Sequence, residues 1–206
     1  MVFLKHPWPE KVINKGTQTL ESDRLILRRF TMDDTELMFK NWTSRPEVSK
    51  TLSWWPAEDV EETRELLRDW TSSYARDDFY IWCCEWKENH EPIGSISATV
   101  KNAKFDEIEI GYAVSDLYWG KGIATEMLKM VIRFMFTECK YNRLYAMHGD
   151  DNPASGKVMD KCGLKFEGVH RKQGKDKYGN YYDMSVHAIT RDDFLEEEAK
   201  KAAEAK

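Results

Sequence analysis

The sequence predicts one mixed α/β domain, with a mostly antiparallel central sheet and helices on both of its faces. Three observations carry this prediction. Short runs rich in β-branched and aromatic residues recur along the chain and read as strands, whereas 57–74 and 122–137 repeat their apolar residues every three or four positions. Several strand-like runs are joined by short polar turns, which suits antiparallel neighbours. The stretch 107–148 reads strand–helix–strand and needs a crossover, so its two strands are expected to pair in parallel.

In order, RLILRRF from Arg24 alternates and reads as the first strand. TMDDTELMFKNW follows as a helix, with Thr31 as N-cap and acids in its first turn. After the aromatic loop TLSWWP, a helix is expected from Ala57 to Tyr74. Pro56 stands at or near its start, and Val60, Thr63, Leu67, Trp70 and Tyr74 form its apolar stripe. FYIWCCEW (79–86), IGSISATV (93–100) and EIEIGYAV (107–114) read as three strands. A helix then begins at about Gly122, with Ala124, Met127, Leu128, Val131 and Met135 on its buried side. RLYAMH (143–148) reads as a buried strand, and PASGKVMDKCG as a short helix that stops at Gly163. LKFEGVHRK and YDMSVHAIT close the chain as a hairpin around KDKYGN.

The 206 residues suit a single domain over 19–193, with an N-terminal arm over 1–18 and a charged tail over 194–206. Hydrophobic residues make up 41%, enough to build a core. A net charge of -5 argues against wholesale nucleic-acid binding. No apolar run approaches the ~20 residues that span a bilayer, and the N-terminus lacks a signal-peptide core. The expectation is a cytoplasmic protein with no nucleic-acid or membrane partner. Cys83, Cys84, Cys139 and Cys162 show no metal-binding spacing and read as buried, reduced thiols, so no metal is expected.

The segment YWGKGIATEML raises the functional question. It places Gly120 and Gly122 between a strand end and a helix start, where free backbone N–H groups and the helix dipole favour an anion. Glycines let a ligand approach the backbone closely. The stretch lacks both the P-loop and the dinucleotide-binding glycine pattern. It resembles the acetyl-CoA signature of the GCN5-related N-acetyltransferases, Gln/Arg-x-x-Gly-x-Gly/Ala. Here that signature reads Trp119-Gly120-Lys121-Gly122-Ile123-Ala124, with Trp119 departing from the usual first residue. A second block, Asp151-Asn152-Pro153-Ala154-Ser155 followed by Lys161-Cys162-Gly163-Leu164-Lys165-Phe166-Glu167-Gly168, is also similar to the family. The opening LESDRLILRRFTMDD resembles one branch, the N-terminal acetyltransferases of ribosomal proteins and their relatives. The resemblance covers roughly 19–193.

The resemblance implies acetyl-CoA as co-substrate and no metal. The amides of Gly120, Lys121, Gly122, Ile123, Ala124 and Thr125 would hold its phosphates. The main chain of Tyr112, Ala113 and Val114 would pair with the pantetheine arm, and Asn152 would fix the pantetheine amide. An amine attacking a thioester must lose a proton, and the leaving thiolate needs a proton or a hydrogen bond. The resemblance places the base at Glu109 and the thiolate's donor at Ser155. On residues alone, Glu107 shares the strand face of Glu109, and Ser155 equally suits a helix cap. Trp54 and Trp55 sit in the loop where the family builds its acceptor cleft, and either line it or anchor the loop. Cys162, His148, His170 and His187 read as structural. The expected acceptor is a protein N-terminal amine, with a small amine second and a non-catalytic CoA-binding module third. The antiparallel terminal strands offer a route to a homodimer.

Overall fold

The computed structural model describes residues 11–204. Its strands are β1 (Leu20–Glu21), β2 (Leu25–Arg28), β3 (Tyr80–Trp86), β4 (Glu91–Asn102), β5 (Glu107–Val114), β6 (Arg143–Gly149), β7 (Lys165–Lys175) and β8 (Tyr181–Thr190). They form one sheet in the order β1-β2-β3-β4-β5-β6-β8-β7. Only β5–β6 is parallel, as the strand–helix–strand order over 107–148 requires; the other neighbours are antiparallel. β7 is an edge strand, at the place where the sequence reading puts pairing between subunits.

Helices cover both faces: α1 (Thr35–Met38), α2 (Pro46–Ser49) and α3 (Val60–Ser73) on one, α4 (Ile123–Thr137) and α5 (Pro153–Lys161) on the other. The period-2 alternation of β3 shows how the residues divide. Tyr80, Trp82 and Cys84 join the α4 core with Ile108, Ile110 and Val131, while Ile81 and Cys83 join Phe30, Met38, Trp42 and Leu67. All four cysteines are buried and free.

The structure corrects several expected boundaries. The expected helix over 31–42 is a composite. A 3₁₀ turn over 32–34 leads into α1, and a π-helical turn follows over 39–43. Asp34 shapes the start by accepting the Thr31 N–H at 2.8 Å and the fork of Arg28 at 2.9 and 2.8 Å. At the other end, the Phe39 carbonyl accepts from both the N–H and the hydroxyl of Ser44, which widens the last turn. The helix expected from Ala57 begins instead at Val60, because Asp59 accepts the N–H groups of Glu61 and Glu62 at 2.9 and 3.1 Å.

The N-terminal arm is tied down over its described part. Thr17 is 2% exposed and bonds to Phe79 and Ile81, and Asn14 accepts the hydroxyls of Tyr80 and Tyr141. Residues 1–10 lie outside the described residues. The charged tail begins inside a helix, α6 (Arg191–Glu204), whose Phe194 is buried against Phe136 at 5.5 Å. Residues 205–206 lie outside the description.

Candidate active site

β5 and β6 pair only over Glu107–Glu109 and Arg143–Tyr145. Beyond that point β6 pairs with β8 and β5 with β4, so the two parallel strands part. The edge of Ile110–Val114 that faces β6 therefore has no strand partner there. Within it, the Val114 carbonyl accepts the Trp119 indole N–H at 2.8 Å. The residue that departs from the glycine signature thus pins the loop to the end of β5.

The loop after β5 is shaped by its glycines. Gly120 and Gly122 have φ of +76° and +78°, the left-handed region that other residues avoid. Gly122 is the N-cap of α4 and supplies no side chain to the first N–H groups of that helix. A Cβ at Gly120 would meet nothing within 4 Å, so the approach to the backbone is open. Glu126 in the first turn would oppose an anion. It is paired with Arg24, whose Nε lies at 2.8 Å, and accepts the Ser22 hydroxyl at 2.6 Å. Arg24 also donates to the Lys121 carbonyl at 3.0 Å, bracing the loop from β2's approach. The Lys121 ammonium stands 4.7 Å above the Tyr118 ring. Nearby in sequence, the Ser115 hydroxyl is buried with no hydrogen-bond partner among the described residues. A helix start without a side-chain cap and open space over Gly120 fit a phosphate-bearing ligand such as acetyl-CoA.

α5 begins differently. Asn152 closes its N-terminus, accepting the Ser155 N–H on Oδ1 at 3.2 Å and donating from Nδ2 to Thr51 at 3.1 Å. The Ser155 hydroxyl lies 2.7 Å from the Tyr112 hydroxyl, across the gap between β5 and α5. Burial pushes the Tyr112 phenol up to about 12, against the opposing hydrogen bond of Ser155. Tyr112 is therefore a neutral phenol at physiological pH. Cys162, at the far end of α5, is buried and donates to the Thr125 carbonyl at 3.4 Å, joining α5 to the start of α4.

Glu109 is ion-paired with Lys101 at 2.7 Å and accepts the Tyr145 hydroxyl at 3.4 Å. Lys101 is the extra residue of a bulge in β4, opposite the start of β5. Glu107 is held in a different lattice, with Arg143 at 2.8 Å and, through that guanidinium, Glu167. The two carboxylates that the sequence leaves equivalent are thus distinguished by their partners.

On the other side of β5 lies a cavity of about 510 Å³. Its floor is β4 and β5 at Ser95, Ser97 and Gly111–Ala113. Trp54 and Trp55 line it, together with Trp42 and Trp70. Trp55 stands at the surface, edge-on to Tyr178 of the β7–β8 turn at 5.0 Å. Gly111, Tyr112 and Ala113 therefore border both the cavity and the opening between β5 and β6.

His148 is partly exposed, with Nδ1 2.9 Å from the Gly149 carbonyl. His187 is buried, its ring 5.3 Å from that of His148. His170 is exposed. Sequence reasoning missed the Tyr112 hydroxyl, Thr51, Arg24, Trp42 and Trp70. A lone hydroxyl on the apolar face of β5 was a usable signal for Tyr112. Arg24 and Thr51 gave none, because their contacts span 97 and 101 residues.

Residues 24–165 match the family model of the acetyltransferase (GNAT) domain. The uncharacterized N-acetyltransferase YoaA of Bacillus subtilis (strain 168) is 31% identical over 172 residues, 84% of this chain and 96% of its own length. The chain belongs to the GNAT acetyltransferase family and is an acetyl-CoA-dependent N-acetyltransferase. Among solved structures, the ribosomal-protein-S5-alanine acetyltransferase of Vibrio fischeri has the same fold, with a TM-score of 0.72, 21% identity, and coverage of 85% of this chain and 98% of that one. The microcin C7 self-immunity acetyltransferase MccE, solved with acetyl-CoA and AMP, shares it at a TM-score of 0.73 and 18% identity, over 82% of this chain and 93% of that one.

Proposed function

We propose that the chain transfers acetyl directly to a primary amine at the opening between β5 and β6, and that a protein N-terminal amine is its first-choice acceptor. One observation carries the reading: Gly111–Ala113 borders the unpaired opening between β5 and β6 on one side and an aromatic cavity on the other. When bound, acetyl-CoA supplies the activated acetyl group as a thioester. The amides of residues 120–125 hold its phosphates, and the free edge of Tyr112–Val114 aligns its arm. Ser155 offers a hydroxyl proton to the departing sulfur, and in that arrangement the neutral Tyr112 phenol, 2.7 Å away, would donate to Ser155 Oγ. Glu109 lies on the strand face of Gly111, about 7 Å along the strand, and takes the amine's proton through water.

The protein-acceptor reading is supported by the opening block of the sequence and by the shared fold of a ribosomal-protein acetyltransferase. A small amine is the second reading, favoured by a cavity of about 510 Å³, a size that encloses a drug-sized ligand. CoA release is measured with peptides bearing free Ser, Ala and Met N-termini, polyamines and aminoglycosides. Fastest release with a peptide supports the first reading, and fastest release with a small amine replaces it. Glu109→Gln is expected to make kcat/KM depend on high pH, where free amine is supplied by solution. An unchanged pH profile removes Glu109 from the reaction.

A further inference from the structure

The cavity beside β5 has a restrictive wall. Four tryptophans, Leu52 and Leu66 line it, with further apolar contributions from Met38, Ala57 and Ile81. Its polar groups are largely spent on one another. The hydroxyls of Thr43 and Thr63 bond mutually at 2.8 Å, and Ser97 donates to the Gly111 carbonyl at 3.4 Å. Among the lining side chains the one carboxylate is Glu62, and it accepts a single main-chain N–H, from Glu58 at 3.1 Å. Besides the tryptophan indole N–H groups, Ser95 and Glu62 are what the wall's side chains offer to a polar ligand.

We propose that the acceptor carries one cationic amine next to an apolar group of aromatic size, and that polyamines and amino sugars are excluded. The inference rests on the acetyl-transfer reading and narrows its substrate. An aromatic or branched apolar group replaces water against tryptophan and leucine, where burial is favourable. Glu62 balances one ammonium as it enters. A polyamine would bring further charges into a wall with no second carboxylate, and an unpaired buried charge is costly. An amino sugar would bring several hydroxyls to a wall that is largely apolar and whose threonine hydroxyls are engaged, so most of them would lose water without gaining a partner. The two sources of the required chemistry are a protein that starts with a bulky apolar residue and a free arylalkylamine.

Calorimetry on the protein saturated with CoA measures amine binding, and CoA release from acetyl-CoA measures transfer. The probes are two peptides that differ only in an N-terminal Phe or Gly, with phenethylamine, spermidine and glucosamine. The Phe peptide is expected to exceed the Gly peptide by about tenfold to a hundredfold in affinity and in kcat/KM. Weak phenethylamine beside a tight Phe peptide makes the source a protein N-terminus, and comparable binding makes it a small molecule. Aromatic probes that bind without CoA release support the cavity inference and overturn the transfer reading. Equal binding of the two peptides, no binding by either aromatic probe, or fastest release with spermidine or glucosamine overturns the inference and leaves transfer standing. Leu66→Glu places a second carboxylate at the mouth on the surface of α3. It is expected to weaken the Phe peptide about tenfold while acetyl-CoA binding holds; unchanged Phe-peptide binding in this variant also overturns the inference.

Discussion

The two sides of β5 are built from different materials. Toward α4 the candidate donor site consists of main chain: the left-handed glycines, the uncapped amides of the helix start and the unpaired edge of Tyr112–Val114. Toward α3 the cavity is built largely of side chains, four tryptophans and two leucines among them. Backbone amides recognise a phosphate whatever side chains surround them, so one solution serves any enzyme that uses the same donor. A side-chain wall is rewritten by single substitutions, so the proposed reading puts the choice of acceptor there. The comparison predicts that the two sides fail independently.

The largest effect is expected from Gly122→Val. A β-branched residue is strained at φ +78° and adds bulk at the helix start. Acetyl-CoA affinity is expected to fall about 10²-fold, equivalent to about 2.7 kcal/mol, with circular dichroism confirming the fold. Parent-like affinity removes the main-chain description of the donor side. The converse variant is Trp54→Ala, which is expected to raise the acceptor KM about tenfold and leave the acetyl-CoA dissociation constant unchanged. A matched loss of donor and acceptor binding would mean that the two sides are one cooperative unit.

The different materials also explain what was legible. The glycine loop, the strand at 107–114 and the start of α5 are local patterns, so their residues name them without a structure. Fold class and the parallel β5–β6 pair follow from element order. The composite helix after Thr31 was not legible, because it depends on Arg28 pairing with the Asp34 carboxylate at one end and Ser44 bonding to the Phe39 carbonyl at the other. Nor was the cavity, whose wall gathers Trp42, Trp54 and Trp70 from three separate segments. Glu107 and Glu109 were indistinguishable by alternation, and only their partners Arg143 and Lys101 separate them.

Smaller effects are expected where the two sides meet, at Tyr112 and Ser155. Ser155→Ala is expected to lower kcat about tenfold with a lesser change in the KM for acetyl-CoA, since an interaction gained in the transition state appears in kcat. Tyr112→Phe removes the phenol behind that hydroxyl and leaves Ser155 in place, so its loss in kcat is expected to be smaller, about threefold. If both variants keep parent kcat from pH 6 to 9, the pair positions the chain rather than the proton.

The smallest expected effect is on stability, and it sharpens the comparison by acting on one side alone. His187 lies beneath α5, between the His148 ring and Phe166, with Asp160 of α5 at 3.2 Å but out of hydrogen-bond geometry. Burial holds its imidazole below the usual range, His148 adds to that, and Asp160 opposes it. A histidine whose folded value is depressed takes its proton more readily when unfolded. Protonation therefore favours the unfolded chain, and stability is lost as pH falls from about 6.5 toward the folded value. Thermal unfolding is expected at lower temperature at pH 5.5 than at pH 7.5, and His187→Gln is expected to flatten part of that difference. Hydrogen exchange at pH 5.5 should show faster opening in α5, which carries Ser155, while α3 beside the cavity keeps its protection. Equal acceleration in α3 and α5 would mean that acid loosens the whole sheet, and that the two sides of β5 share one stability rather than two.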